Sequence, residues 1–434
     1  MSTSSKPNQV STNLTVLVGL VPLFIGIVWL IAFPPETRIN GALVLMLSYA
    51  VPLILYEVGI RRVHRNESTG LDWDNPQPTD TSRLVTKIVG MLGAVGAVAA
   101  FHAVFRVYTP GQLHDPLYTV VQYSPVILTL TLAYFWFVDR RMTSPKDGYW
   151  ELGALILRRN PTPDWAKLQD FALGWTVKGF FLPVMFTYLA GNVSRLHTQL
   201  HQLGGDVVEV VIYLTRIAIT AELVIVVVGY TLTVRLFDSH IRSTNYYLGA
   251  WLVTLVCYYP FNELVTGQIF AYRPAPGWVS VIHDFPTFKW AWLALILTSY
   301  FVWLWATAIY GLRWSNLTHR GIITEGPYRF TKHPDYLAKS LFFWFTAAPF
   351  VTALTTWQAI TASLGLLVVN GIYYGRARME EKHLSEDPDY VAYARRMNEQ
   401  SMFRGVVRYL PFLKYRAPGD KGQETPDQAS ATPA

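Results

Sequence analysis

Between Arg320 and Tyr336 the chain reads Arg-Gly-Ile-Ile-Thr-Glu-Gly-Pro-Tyr-Arg-Phe-Thr-Lys-His-Pro-Asp-Tyr, which gathers one imidazole and two phenols around a helix start. Glu325-Gly326-Pro327 is a turn signal. His333-Pro334-Asp335 predicts a helix beginning, with proline at the first helical position and an acid in the first turn. A loop entering a helix this way offers free amides and the positive end of the dipole to an anionic group. Tyr328, His333 and Tyr336 flank that end and are suited to hold a polar ligand. A second polar stretch, Tyr373-Tyr-Gly-Arg-Ala-Arg-Met-Glu-Glu-Lys-His-Leu384, puts Arg376 and Glu380 four apart on one face if it is helical. Asp387-Pro388-Asp389 starts a further helix by the same logic. Its Tyr390, Tyr393, Arg395 and Arg396 make it short, basic and aromatic enough to lie along a membrane surface.

Each of these residues also has an ordinary structural reading. His333 can be a cap, and Tyr328 and Tyr336 can be belt aromatics at a water–lipid boundary. Arg376 and Glu380 can be a solvated pair worth about 0.3–0.5 kcal/mol. Glu381, Arg395 and Arg396 read as hydrated surface rather than as catalytic groups.

The elements that must position these residues are set by hydropathy. Only 15% of the 434 residues are charged and 51% are hydrophobic, with a mean hydropathy of +0.24. Soluble domains carry roughly 25% charged residues. The composition excludes a disordered or collagen-like chain and argues against a soluble enzyme. The single cysteine, Cys257, offers neither a disulfide framework nor a cysteine-based zinc site, and no other metal ligands are evident. The reading is an all-α polytopic membrane protein of about ten transmembrane helices. They are predicted at 14–33, 40–58, 84–105, 117–138, 170–190, 208–234, 246–265 and 290–312, with a tighter pair at 338–354 and 357–375. The organisation expected is a disordered tail 1–13, about seven spans in 14–265, a C-terminal membrane core with cytoplasmic helices in 290–416, and a disordered tail 417–434.

Ten spans put both termini on one side. With the N-terminus inside, the inner loops before residue 313 hold thirteen lysines and arginines and the outer loops only Arg38, Arg106, Arg195, Arg273 and Lys289. That bias makes both termini cytoplasmic. A bacterial inner membrane is preferred over the endoplasmic reticulum, although both satisfy it. The net charge of +7 therefore marks sidedness, with some attraction for membrane lipids, and no nucleic-acid module is visible. Lys178, Arg216 and Glu222 fall inside apolar segments. Lys178 is expected to snorkel, and the other two to meet partners on other helices or to shape a cavity.

Gly326-Pro-Tyr-Arg-Phe-Thr-Lys-His-Pro-Asp-Tyr336, a helical hairpin, Arg376-x-x-x-Glu380-Glu381-x-x-Leu384 and Tyr390-x-x-Tyr393-x-x-Arg396 together resemble the isoprenylcysteine carboxyl methyltransferase family and the related phospholipid methyltransferases. The resemblance covers roughly residues 313–400. It implies S-adenosylmethionine on the cytoplasmic side and a lipid-like or small-molecule acceptor. Family cofactor contacts carry over to Arg320, Gly321, Ile322, Ile323, Tyr328, His333, Pro334, Asp335 and Tyr336. Arg376 carries over as the acceptor-facing arginine and Glu380 as its acidic companion. Arg313 and Arg320 stand where the family commonly has glutamine and often histidine, Lys332 where arginine is usual, and Asp335 adds an acid beside the cofactor site. A carboxylate acceptor needs a cation to position it, a role for Arg376. An amine acceptor must lose a proton, which Glu380 can take.

Two rival readings remain at this stage. A sterol-reductase-like enzyme using NADPH shares the size and a similar hairpin, but this chain has Lys332-His333-Pro334-Asp335-Tyr336 in place of that family's Arg-His-x-Asn-Tyr. It also lacks the later His-Arg-x-x-Arg-Asp pattern. A non-enzymatic transporter or lipid-binding scaffold is the third, motivated by the long N-terminal extension.

Overall fold

A computed structural model describes residues 10–273 and 277–418. The expected disordered tails lie almost wholly outside the described residues. The helices in chain order are α1 Asn13–Ala32, α2 Arg38–Ile54, α3 Thr81–Phe105, α4 Pro110–Gln122, α5 Ser124–Asp139, α6 Gly148–Ile156, α7 Trp165–Leu200 and α8 Val207–Thr231. They continue with α9 Leu248–Leu255, α10 Phe261–Leu264, α11 Trp278–Asp284, α12 Lys289–Ala308, α13 Pro334–Ala347, α14 Pro349–Thr352, α15 Thr356–Leu384, α16 Pro388–Gln400 and α17 Arg404–Tyr409. Strand β1 (Ser243–Thr244) pairs antiparallel with β2 (Thr318–His319), Ser243 opposite His319. Among the described residues the fold is thus nearly all-α.

Side-chain caps set many of the starts. Asp80, Asp147, Asp164 and Asp387 each accept a backbone amide at the head of α3, α6, α7 and α16, satisfying donors a helix leaves unpaired. Proline occupies the first turn of both α13 and α16, as their sequences indicate.

Six helices among the described residues are long and apolar enough to cross a membrane, or up to seven if α4 and α5 form one bent span. Two expected spans differ from straight helices. The segment 117–138 bends by 66° between α4 and α5, where Pro125 has no amide for the preceding turn. The segment 246–265 splits into α9 and α10 around Pro260, and neither piece is long enough to span. The final hairpin is present as α13, α14 and α15, though α13 has only 14 residues.

The core runs along α1, α2, α7, α8 and α12, with Val224 through Val228 of α8 almost wholly buried. The outward faces are greasy: Leu17, Ile25, Leu130, Phe301 and Leu364 are more than half exposed, as lipid-facing positions should be. Two of the charges within the spans find partners on other helices, whereas Lys178 lies over the Trp175 ring of its own helix. Arg216 donates to Gln199 and, at 3.2 Å, to Asn192, both on α7. Glu222 accepts from Tyr300 at 3.2 Å and from Trp303 at 2.9 Å, both on α12.

Candidate active site

The loop between α12 and α13 is held from below by two arginines. Arg313 is 2% exposed; it donates to the Asp238 carbonyl at 3.0 Å and pairs with Glu57 at 3.2 Å. Arg320 is 3% exposed and its guanidinium donates to the backbone carbonyls of Gly229, Leu312, Trp314, Leu232 and Ser239. That side chain is fully used in bracing the loop, so any ligand contact by Arg320 falls to its neighbours or its backbone. Gly321 follows with φ +113, a left-handed conformation that glycine adopts without strain. The Glu325-Gly326-Pro327 turn forms as expected, with Gly326 at φ +60.

Asn316 is the hub the sequence did not disclose. Its amide donates to Tyr230 at 3.0 Å and Tyr258 at 2.9 Å, and its carbonyl oxygen accepts from Arg376 at 2.9 Å. Arg376 also lies over the Tyr336, Tyr373 and Tyr258 rings at 5.2, 5.9 and 6.0 Å. Glu380, one turn on, accepts from the Tyr336 hydroxyl at 2.9 Å and stands 4.0 Å from His333. Arg376 and Glu380 therefore share a face of α15, yet each is held by a different partner rather than by the other.

Glu381 overturns its reading as hydrated surface. It is 4% exposed and joins Lys332 at 2.7 Å, His333 at 3.2 Å and Arg378 at 2.5 Å. Burial pushes its carboxyl up, but the hydrogen bond and charge of His333 together with Lys332 draw it down to about 2. Burial lowers His333, and the hydrogen bond and charge of Glu381 more than reverse this, leaving it above its ordinary value. Burial raises Glu380, with His333 opposing. Two adjacent glutamates thus differ in proton affinity because Glu381 directly contacts three cations, whereas Glu380 bonds a phenol and keeps the cations at a distance.

The helix α16 also departs from a surface role. Tyr390 and Tyr393 are both 4% exposed, and the Tyr393 hydroxyl donates to the Tyr328 carbonyl at 2.7 Å. Its tyrosines pack inward against the α12–α13 loop.

Two adjoining hollows result, which share Tyr310, Ser315, Thr318, Tyr328, Glu380 and Leu384. The first is lined by Tyr328, Asp335, Tyr336, Arg376 and Glu380, and the second by Arg320, Gly321, Ile322, Ile323, Tyr328 and His333. Pro334 lines neither, and serves α13 by starting it. Residues the sequence gave no reason to select also line the first: Asn316, Lys339, Asn245 and Tyr310. For Glu381 a signal did exist, since a second glutamate faces the doubled base Lys332-His333 across the hairpin.

Residues 290–386 match the Isoprenylcysteine carboxyl methyltransferase (ICMT) family. The matched region of this methyltransferase family starts in α12, takes in the braced loop and the α13–α15 hairpin, and ends just before α16. It contains Asn316, Arg376, Glu380 and Glu381. Their partners Tyr230 and Tyr258, and the Glu57 that meets Arg313, come from outside it. No curated protein and no solved structure matches the chain.

Proposed function

We propose that this chain is an integral membrane methyltransferase that uses S-adenosylmethionine and methylates a carboxylate or an amine of a lipid-like or small acceptor. The observation that carries the reading is the convergence of Arg376, Glu380, Tyr336, Asp335 and Tyr328 on one hollow inside the family-matching region. The lining fits the cofactor's chemistry: Glu380 and Asp335 offer carboxylates to a cation, Lys339 an ammonium to a carboxylate, and Tyr336 a ring face. The Tyr390 hydroxyl is buried without a hydrogen-bond partner among the described residues and lines the second hollow, a polar atom awaiting a ligand.

When bound, S-adenosylmethionine supplies a methyl carbon attached to a sulfonium. The protein's own work is alignment and exclusion of water. Arg376, fixed by Asn316 and stacked on tyrosines, would hold an acceptor carboxylate. Glu380, whose proton affinity is raised by burial, would take the proton from an amine acceptor. The family match supports methyl transfer over an NADPH-dependent reductase or a scaffold. The lysine and arginine excess of the inner loops supports cytoplasmic termini.

The test is transfer of labelled methyl groups from S-adenosylmethionine into the lipid extract of membranes carrying the protein. Label should appear with wild type and vanish with Glu380→Gln and Arg376→Met variants that remain folded. Equal labelling by folded variants and wild type would remove both residues from the chemistry.

A further inference from the structure

A third hollow lies outside the family-matching region, walled by α3, α5, α6 and α7 and closed by the 233–242 loop. α7 contributes Lys167, Asp170, Phe171, Gly174, Trp175 and Lys178, whose three- and four-residue spacing makes one helical face. Six lysines and arginines line the hollow against three aspartates. The acids are already engaged. Asp139 meets Lys87 at 2.8 Å and Arg83 at 2.6 Å, Asp147 caps α6 and lies 3.4 Å from Lys87, and Asp170 accepts from the Thr244 amide at 2.6 Å.

The spare charge is cationic. Among the described residues neither Lys178 nor Lys146 meets a carboxylate; they lie over the Trp175 and Trp150 rings at 5.5 and 4.7 Å. An ammonium in a spanning helix without a counter-ion is costly and marks a place for a partner. Across the hollow His240 is 9% exposed, and its Nδ1 has no hydrogen-bond partner among the described residues. The remaining wall is aromatic, with Tyr149 edge-on to Phe135 at 5.2 Å and to Phe171 at 4.8 Å. Beside it, the outer face of α5 is lipid-facing, with Leu130 65% exposed.

We propose that this hollow binds an anionic phospholipid, its phosphate held by Lys178 and Lys146 and its chains lying along the Phe135, Tyr149 and Trp175 wall. Charge complementarity selects the head group, and the adjoining apolar face of α5 selects a lipid over a soluble anion. The site is independent of methyl transfer.

The test uses the full-length protein in a neutral detergent, titrated with dioctanoyl phosphatidylglycerol, dioctanoyl phosphatidylcholine or inorganic phosphate, with complexes counted by native mass spectrometry. Phosphatidylglycerol should bind saturably and phosphatidylcholine about tenfold more weakly or worse. The double variant Lys146→Gln, Lys178→Met should lose about tenfold or more in affinity for phosphatidylglycerol. Lys146→Gln alone alters an exposed residue and should weaken binding in the same direction, which guards against misfolding of the double variant. Equal affinity for the two lipids, or unchanged affinity in folded variants, overturns the site. Inorganic phosphate binding as tightly as phosphatidylglycerol overturns the lipid.

Discussion

Glu381 is buried between three cations, and its removal leaves Lys332 and His333 without their anion. Breaking such a pair from one side is destabilising by on the order of 3 kcal/mol, so Glu381→Gln should lower the melting temperature measured in detergent. The pH dependence has a definite sign. Glu381 is drawn from an ordinary 4.5 to about 2, so its contribution is complete above pH 4.5 and is lost as the pH falls toward 2. His333 is raised above 6.5, so its contribution is complete below pH 6.5 and is lost as the pH rises through the raised value. The gap between wild-type and Glu381→Gln melting temperatures should therefore be widest between about pH 4.5 and 6.5. A gap that stays constant from pH 3 to 9 would contradict the pairing. Glu380 is the residue proposed for the chemistry instead. For an amine acceptor, Glu380→Gln should lower kcat by roughly a hundredfold or more, while binding of the demethylated cofactor persists in a calorimetric titration.

At the scale of elements, α3 and α6 touch backbone to backbone. A Cβ added at Gly153 would lie 1.8 Å from the Thr86 carbonyl oxygen, and one at Gly90 would lie 1.9 Å from that of Tyr149. Gly153→Val should cost more than about 3 kcal/mol, since the helices must part; a melting temperature within a degree of wild type would refute the close packing. The starts of α13 and α16 were legible because first-turn proline acts locally, joined in α16 by the Asp387 cap. The bend between α4 and α5 and the break at Pro260 were not, because hydropathy averages across a proline that interrupts the hydrogen-bond ladder. That break places Tyr258, whose hydroxyl accepts from Asn316 at 2.9 Å. Asn316 was invisible for another reason, since its partners Tyr230 and Tyr258 lie 86 and 58 residues away.

Over the whole molecule, the N-terminal helices act as a brace for the family-matching region. Arg313 and Arg320 both reach outside that region, to Glu57, Asp238, Gly229, Leu232 and Ser239. The helices and loops outside the matched region thus supply the carbonyls and the carboxylate that these buried guanidiniums require. A fragment starting at Gly277 should not give a monodisperse folded protein by size exclusion in detergent, because it retains both arginines and loses these partners. A well-folded fragment would show that the brace is dispensable. The central claim is that the paired hollow under α13 and α15 accepts S-adenosylmethionine. Its most direct measurement is a calorimetric titration of S-adenosylhomocysteine into the purified full-length protein, with NADPH titrated in parallel. Saturable heat for about one site per chain with S-adenosylhomocysteine, and none with NADPH, is the expected result. Absence of binding up to ~1 mM, or binding of NADPH in its place, would contradict the account.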